Sequence, residues 1–520
     1  MKKINLRQVM YLILGMAFVL VEYLRATMTG AVWKPAANFV GILTELLILS
    51  NMDLKKIRKS VAAVATLVTA IGIVAACILF KSHVGEWSLA QINTGVINVG
   101  LLILIWSVLF EEFLITKTRK IKSDPLFGLF FLIAVLSVIS RSSAWWPVWF
   151  LFVFGAYYLT DIKDSRSLKK GLTRGIIAGF FILQSFAFLF RPFDALRYAG
   201  PYPNCNDTAL FYVCVYVCIL TELGNCYREK VSKQIKLVLY VLAASMWSFM
   251  LYTQCRTIWG TAFVITVIYG VAELIKNRKA GVIGALKQGV LFGVVALCMI
   301  PLVYIPVRYL PCVHPHPIWY EGEYRLSAVH SFDPIDSPKF TSYEELKSSA
   351  LGRLIFKKVN PGEEPKGFAP FTGEPKYVTI GQNGADMTNS MLVRKEIFKA
   401  YLKEFNLIGH HPDDVKFVYG SGNPVWHAQN LWIQIGYDFG VLAFAAAVIL
   451  SVLILIRLVK NVLKGDSIYS LFALLVYVIF FLYGTMEIVW KPGQLIFALA
   501  FLVMHPCFKN TDEEKERAVS

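Results

Sequence analysis

Arginine is the residue type whose placement in this chain most strongly suggests chemistry. Five arginines stand where an apolar segment meets polar chain: Arg141, Arg191, Arg197, Arg256 and Arg394. A guanidinium group binds phosphate oxygens in pairs and keeps its charge at physiological pH. Several such groups facing one cavity would therefore bind a polyanion. The alternative is that each arginine reaches singly to lipid phosphates at a membrane surface.

A second candidate is the stretch Val425–Gly440, where a long polar region ends and an apolar segment begins. It reads V-W-H-A-Q-N-L-W-I-Q-I-G-Y-D-F-G and contains His427, Gln429 and Asn430. An imidazole titrates near neutral pH, so His427 could orient an acceptor hydroxyl or remove its proton. The alternative is a structural histidine at the start of a helix.

Polar breaks accompany Arg197 and Arg256. Residues 197–207 read R-Y-A-G-P-Y-P-N-C-N-D and include Asn204 and Asn206, while residues 252–257 read Y-T-Q-C-R-T between two apolar segments. Gly, Pro and Asn suit a tight turn, and one Asn or Asp there would cap the following helix. Capping accounts for one of these polar residues and leaves the others as candidate ligands for a substrate.

Metal and nucleotide chemistry have weak support. The histidines and aspartates that cluster in loops are His314, His316, His410, His411, Asp413 and Asp414. None of their spacings is the i, i+4 pair of a helical zinc site, and the chain has no Gly-rich phosphate loop. The nine cysteines are scattered, without C-x-x-C pairs. We expect no metal, no cofactor and no structural disulfide.

The elements that must position these residues are membrane helices. The chain is 56% hydrophobic and 17% charged, and its apolar runs have the length that a hydrocarbon core of about 30 Å requires. The sequence predicts an all-α polytopic membrane protein with about fourteen transmembrane helices. The predicted spans are Val9–Val21, Ala36–Leu49, Val61–Phe80, Ile92–Phe110, Leu126–Ile139, Trp145–Leu159, Gly175–Phe190, Thr208–Leu223, Leu237–Thr253, Ile258–Ile275, Ala285–Ile305, Leu431–Ile456, Ile468–Met486 and Pro492–Phe508. The two short segments between residues 126 and 159 are alternatively a helical hairpin that does not cross fully.

The distribution of charge predicts the topology. The net charge is +17, and the lysines and arginines concentrate in short connections such as Lys163–Arg174 and Arg228–Lys236. Basic connections of this kind are held in the cytoplasm, so membrane lipid and not nucleic acid is the expected partner. We predict a multi-pass protein of the cell membrane with both termini cytoplasmic. The start of the chain reads as a first membrane helix without a cleavage site.

Four parts of the chain follow from this topology. They are a bundle of about eleven helices at 1–305, a large extracytoplasmic loop at 306–426 before the third-last helix, about three C-terminal helices at 427–508, and a cytoplasmic tail at 509–520. The loop begins with many prolines, which predict an ordered but irregular lid. A short helix is predicted at Tyr343–Lys358. An amphipathic helix bearing Arg394 is predicted at 389–406, on the membrane surface or packed on the bundle mouth.

The order of these motifs resembles the O-antigen ligase and O-antigen polymerase family of bacterial membrane glycan-assembly enzymes. The matching residues are Arg197, Gly200, Asn204, Asn206, Arg256, Arg394, His427, Asn430 and the run Tyr437–Gly440. The resemblance covers roughly residues 191–444 and is firmest over 389–444. Two positions depart from the family pattern: Cys205 replaces a proline, and Gln429 replaces a histidine.

The resemblance implies transfer of a glycan from an undecaprenyl-diphosphate-linked oligosaccharide donor to the hydroxyl of a glycan acceptor on the outer face of the membrane. Arg256 and Arg394 would stabilise the departing diphosphate, and His427 would act on the acceptor, without a metal. The residues that would bind substrate are Arg141, Arg191, Arg197, Asn204, Asn206, Gln429 and Asn430. The family contains both polymerases and ligases, and Tyr437–Gly440 resembles the polymerases of surface polysaccharides.

Two alternatives remain open at this stage. A flippase or other transporter of lipid-linked oligosaccharide could also have about fourteen spans, although it would not ordinarily need so long a loop. Because Gln429 stands in place of a histidine, the chain could also be an inactive family member that serves as a scaffold for polysaccharide-assembly partners.

Overall fold

The computed structural model describes the helices of the chain and many of its connections. The described residues are 6–27, 33–53, 55, 57–80, 86–116, 124–142, 144, 146–160, 162, 164–191, 193, 197–276, 281–313, 318, 376–380, 390–411, 414–419, 424–425, 427–464, 467–489 and 494–503. The predicted helix at Tyr343–Lys358 and the predicted tail at 509–520 lie outside these ranges.

Helices make up most of the described chain. In order they are α1 (Leu6–Thr27), α2 (Trp33–Asn51), α3 (Lys59–Phe80), α4 (Glu86–Phe110), α5 (Pro125–Ile139), α6 (Trp146–Leu159), α7 (Ser165–Phe190), α8 (Cys205–Arg228), α9 (Lys233–Tyr252), α10 (Arg256–Lys276), α11 (Gly281–Tyr309), α12 (Ser390–Lys403), α13 (Leu431–Phe439), α14 (Val441–Lys464), α15 (Ile468–Gly484) and α16 (Leu495–Val503). A π-helical turn at Glu111–Ile115 extends α4, and a 3-10 turn at Leu310–Val313 follows α11. Three strands are β1 (Lys376–Ile380), β2 (Val415–Tyr419) and β3 (Pro424–Val425).

The structure confirms a multi-pass helical membrane protein. Within the described ranges, eight helices are long and apolar enough to cross a membrane: α1, α4, α7, α8, α9, α10, α11 and α14. Five shorter apolar helices accompany them: α2, α3, α5, α6 and α15. The helices α5 and α6 have 15 and 14 residues. At 1.5 Å per residue they reach only about 22 Å, which is shorter than a hydrocarbon core of about 30 Å.

The prediction of an all-α protein needs one correction, because the long loop contains a small sheet. Strand β1 pairs in parallel with β2, and β2 pairs antiparallel with β3. Strands of five, five and two residues are too short to show a clear alternation of apolar and polar residues. The segment 306–426 therefore includes a compact unit of three strands and α12, in the part that follows the predicted irregular lid.

Helix α12 is the amphipathic helix predicted at 389–406, with shorter bounds. Its buried face packs on the sheet: Ile397 and Tyr401 are 0% and 3% exposed, and the ring of Tyr401 stacks on Phe417 at 3.9 Å. Leu392 and Leu402, which also fit the apolar spacing, remain exposed. The sheet, rather than a lipid surface, thus covers the central part of the apolar face.

The predicted single span Leu431–Ile456 is wrong, since two helices meet at Gly440. The backbone of Gly440 has φ of 96°, and its N–H donates to Gly436 O at the end of α13. A Cβ at this position would collide with the carbonyl oxygen of Leu407. The apolar run continues through the break, so hydropathy alone does not reveal it.

The centre of the bundle is α8, whose residues from Thr208 to Cys226 are all buried. Helices α7, α9, α10 and α15 surround it. In contrast, α3 and α11 expose apolar side chains such as Leu67 and Val290, which a lipid environment would cover. Close packing of α1 on α7 needs glycine, because a Cβ on Gly175 would lie 2.9 Å from the Cα of Gly15.

Successive helices of the bundle run in opposite directions, so their ends lie alternately at two opposite ends of the bundle. One end, here called the loop end, carries the last residues of α1, α3, α5, α7, α9, α11 and α15. The other, the basic end, contains ion pairs such as Lys170–Glu229 at 2.8 Å and Arg457–Asp124 at 2.6 Å. The arginines that the sequence assigned to the outer face all belong to the loop end. That this end faces outward stays a prediction.

Candidate functional site

Arg394 is brought from α12 to the end of α15 and to the junction before α13. Its Nε donates to Oε1 of Gln429 at 3.1 Å, and its Nη2 donates to Oε1 of Glu487 at 3.2 Å. The side chains of Arg394 and Glu487 are 19% and 23% exposed. Among the described residues Nη1 makes no hydrogen bond, so part of the guanidinium fork remains available to an anion.

The junction holds Gln429 in an unusual backbone conformation. Its φ is 50°, in the left-handed region that a non-glycine residue rarely occupies. The next residue, Asn430, is the N-cap of α13: its Oδ1 accepts from Ile433 N at 3.0 Å, and its Nδ2 donates to Thr485 O at 3.0 Å. Asn430 thus ties α13 to the end of α15. This anchorage keeps Gln429 under Arg394 despite the backbone strain.

His427 contacts the same strained residue. The backbone N–H of Gln429 donates to Nδ1 of His427 at 3.2 Å. A neutral imidazole that accepts at Nδ1 carries its proton on Nε2, and there it acts as a donor. Both roles that the sequence allows for His427, orienting an acceptor hydroxyl and removing its proton, stay predictions.

Arg197 joins the turn before α8 to the turn between α9 and α10. Its Nε donates to Thr253 O at 2.9 Å, and its Nη2 donates to Oδ1 of Asn206 at 2.6 Å. Asn204 caps α8 by accepting from Asn206 N at 2.8 Å. Arg256, half-buried, is the first residue of α10, directly after this turn. The two turns therefore bring Arg197 and Arg256 to the same part of the loop end.

Cys255 lies between the Arg197 and Arg394 groups. Burial raises the pKa of its thiol to about 11, while Arg197 acts to lower that pKa and Glu487 to raise it. Both charges are thus close enough to act on Cys255. The hydroxyl of Tyr483, one turn before Glu487, donates to Asn206 O at 3.4 Å. Three predicted arginines, Arg197, Arg256 and Arg394, consequently belong to one neighbourhood.

Arg191 and Arg141 serve other contacts. Arg191 is 2% exposed and donates to three backbone carbonyls: Gly200 at 2.9 Å, Ile318 at 2.6 Å and Tyr202 at 3.2 Å. These donors face the protein backbone, and the predicted role of Arg191 in binding substrate stays a prediction. Arg141 pairs with Asp414 at 3.1 Å and anchors the loop unit to the end of α5.

Two acidic residues near the site received no role from the sequence. Glu487 follows the apolar run of α15, and its only sequence signal is a carboxylate at the end of a predicted span. Asp438 belongs to α13, where Gln434 Nε2 donates to its carboxylate at 2.8 Å. Burial nevertheless raises the pKa of Asp438 to about 7. A carboxyl group poised near neutral pH is a frequent feature of functional sites.

Support from the sequence for a metal site formed by loop histidines is weak. Within the described residues, His410 makes other contacts. The ring of His410 stacks on Tyr437 at 4.6 Å, and its Nε2 lies 2.6 Å from Glu404 O. No group of three or more His, Cys, Asp or Glu that could hold a metal occurs in the described ranges. His314, His316 and Asp413 lie outside them. The expectation that the protein uses no metal stays a prediction.

An apolar cavity of about 130 Å³ lies beneath the junction, between α5, α6 and α13–α16. Leu431 and Trp432, the first residues of α13, form part of its wall. Further walls come from Phe130, Phe150, Phe154, Tyr477, Phe480 and Phe501. A basic group above an aromatic and aliphatic cavity can bind an amphiphile with an anionic head and a hydrocarbon chain.

No protein-family model, curated protein or solved structure matches this chain. Functional assignment therefore depends on the geometry of the site and on the motif resemblance.

Proposed function

We propose that this chain is a membrane glycosyltransferase of the O-antigen polymerase and ligase type. It would transfer glycan from an undecaprenyl-diphosphate-linked oligosaccharide to an acceptor hydroxyl at the loop end. One observation carries the proposal: Arg197, Arg256 and Arg394 come from three separate segments and gather beside the His427–Asn430 junction. A diphosphate is the ligand that such a group of guanidinium ions fits.

The reaction breaks the bond between the anomeric carbon and the diphosphate. The acceptor oxygen attacks that carbon, its proton passes to water or to an oxygen of the departing diphosphate, and the diphosphate leaves with the bonding electrons. Negative charge grows on the leaving group, and preorganised cations lower the energy of that state. Arg394 is suited to this task because Gln429 and Glu487 hold one side of its guanidinium while Nη1 remains available.

His427 would orient the acceptor. Its Nδ1 accepts the backbone N–H of Gln429 at 3.2 Å, which fixes the imidazole beside the residue that binds Arg394. Gln429 replaces the family histidine and takes a different role here, as an acceptor for Arg394. The apolar cavity beneath Leu431 and Trp432 has room for a short segment of the hydrocarbon chain of a lipid carrier.

The experiment is a transfer assay with purified protein in lipid nanodiscs. Undecaprenyl-diphosphate-linked oligosaccharide is supplied with a metal chelator, and the glycan products are separated by length. We expect new linkages for the wild-type protein. Growth of the lipid-linked chain itself identifies a polymerase, and transfer to a separate acceptor identifies a ligase.

Variants test the assignment of the arginines. Arg394→Ala and Arg256→Ala should each lower transfer by about 100-fold or more, as loss of one charge-stabilising donor does elsewhere. Lys395→Ala is the matched control, because Lys395 is the adjacent, exposed cation on α12, and its rate should be that of the wild type. Wild-type rates in both arginine variants would refute the diphosphate site. Transbilayer movement of the lipid without new linkages would instead identify a flippase.

A further inference from the structure

Glu45 is a buried carboxyl group in the membrane-spanning part of the protein that has no role in the proposed transfer. Its residue is 0% exposed, and neither carboxylate oxygen has a hydrogen-bond partner among the described residues. It stands twelve residues after the first residue of α2, about 18 Å along the helix axis. That depth is more than half of a hydrocarbon core of about 30 Å.

The facing helix α4 presents a second polar atom without a partner. Asn98 is 1% exposed; its Nδ2 donates to Asn38 O at 3.2 Å, whereas its Oδ1 is unpaired within the described part of the chain. Asn38, Gly41 and Glu45 share one face of α2, because they are spaced i, i+3 and i+7. A Cβ on Gly41 would lie 2.9 Å from Asn98 Oδ1, so this face of α2 is packed against that oxygen.

Among the described side chains, no cation of the helices packed on α2 forms an ion pair with Glu45. On α1, Glu22 pairs with Arg25 at 2.7 Å near the loop end, and Arg7 stands near the opposite end. The π-helical turn after α4 carries Glu111, which pairs with Arg58 at 2.9 Å, and the neighbouring Glu112. Helix α6 has no charged residue. In the described parts of α2 and α4, the buried side-chain polar atoms without a hydrogen-bond partner are all oxygen acceptors, on Glu45, Asn93 and Asn98.

We propose that Glu45 is a proton-binding site within the bundle and that its carboxylic acid donates to Oδ1 of Asn98. An ionised carboxylate without a partner would be very costly in this apolar surrounding. A single bound proton converts –COO⁻ to –COOH, which removes the charge and supplies the donor that both residues lack. Because the site involves α2 and α4, it is independent of the arginine group at the loop end.

Carbodiimide labelling tests the proposal. The full-length protein in phosphatidylcholine nanodiscs is treated with dicyclohexylcarbodiimide, an apolar reagent that reacts with protonated carboxyl groups, and labelled peptides are identified by mass spectrometry. Near neutral pH the label should appear on Glu45 and be absent from Glu45→Gln. Glu22 is the internal control: it is also buried, but its carboxylate pairs with Arg25 at 2.7 Å, and it should remain unlabelled.

Infrared spectroscopy gives a second readout that needs no reagent access. The wild-type minus Glu45→Gln difference spectrum should contain the carbonyl stretch of a hydrogen-bonded carboxylic acid, and this band should disappear at strongly alkaline pH. Asn98→Leu should move the band to higher frequency, because the acceptor is lost. Carboxylate bands from Glu45 at neutral pH would overturn the proposal. Labelling blocked by sodium chloride but not by choline chloride would overturn it in favour of a metal-cation site.

Discussion

The guanidinium group of Arg394 is held in place by two neighbouring side chains before any anion binds. A free guanidinium on a surface helix would sample many rotamers and lose them on binding an anion. Here Gln429 and Glu487 fix two of its nitrogens beforehand. The carboxylate of Glu487 also neutralises Arg394 in the resting state, which limits the cost of holding this cation at a partly buried position.

Substitution of Gln429 by glycine distinguishes two effects of this residue: the strain of its left-handed backbone and its positioning of Arg394. Gln429→Gly should leave the free energy of unfolding unchanged or raise it by about 1 kcal/mol, because glycine adopts a φ of 50° without strain. The same variant should slow glycan transfer by about tenfold or more, because Arg394 loses an acceptor. Thermal unfolding and the transfer assay measure the two effects.

Gln429→Ala is the control for this variant. Alanine also removes the acceptor but keeps the left-handed penalty, so it should be as slow as Gln429→Gly and less stable. A Gln429→Gly protein with the wild-type rate would show that Gln429 does not position Arg394.

Asp438 gives a prediction of pH dependence. Burial raises its pKa from 3.8 to about 7, so the unfolded chain loses this proton at lower pH than the folded chain does. Stability linked to this group is therefore fully present below about pH 4 and declines as pH rises towards 7. Asp438→Asn keeps the hydrogen bond from Gln434 and removes the titration. At pH 8 it should be more stable than the wild type by about 2 kcal/mol, after allowance for partial exposure.

The measurement is the thermal midpoint of both proteins across that pH range. The difference between them should shrink to nearly nothing at about pH 4. A constant difference at every pH would mean that Asp438 does not titrate in the expected range.

Elements differ in how far the sequence predicts them. The apolar runs of α7 to α11 and the three- and four-residue spacing of Ile397 and Tyr401 are local patterns, and they correctly predicted helices. The small sheet could not be predicted, because its strands are short and β1 pairs with β2 across α12. The Arg394–Glu487 pair joins residues 93 positions apart, and no local pattern encodes such a contact. The sequence predicted that the five candidate arginines share one end of the bundle. It did not predict that Arg191 contacts backbone carbonyls and that Arg141 pairs with Asp414.

The break between α13 and α14 yields a prediction at the scale of elements. Gly440→Ala places a Cβ against Leu407 O and forces a non-glycine residue to a φ of 96°. We expect the free energy of unfolding to fall by about 1–3 kcal/mol. Gly128→Ala is the control, since a Cβ on Gly128 meets no atom within 4 Å. Thermal unfolding in detergent should show a loss for Gly440→Ala only, and equal midpoints would contradict the structural need for glycine at the break.

At the scale of the whole molecule, the two ends of the bundle predict opposite accessibility. Lys399 on α12 and Arg166 on α7 have side chains that are 54% and 68% exposed and lie at opposite ends. In intact cells, a membrane-impermeant maleimide should label Lys399→Cys and leave Arg166→Cys unlabelled. Inverted vesicles should reverse this result. Labelling of both from one side would contradict the two-ended arrangement, and labelling of Arg166→Cys alone in cells would invert the proposed orientation.

The contacts of α1 have a consequence for the time course of synthesis. The carboxylate of Glu22 accepts the backbone N–H of Leu495 at 2.9 Å, across 473 positions of the chain. Ribosomes elongate at about 5–20 residues per second, so this final partner emerges roughly half a minute to a minute and a half after Glu22 itself. During that interval Arg25, one helical turn away, is a local partner that can shield Glu22 from lipid. The salt bridge between Glu22 and Arg25 can thus serve as an interim contact within α1. It stabilises Glu22 in the nascent chain until Leu495, its partner in the complete protein, has been synthesised.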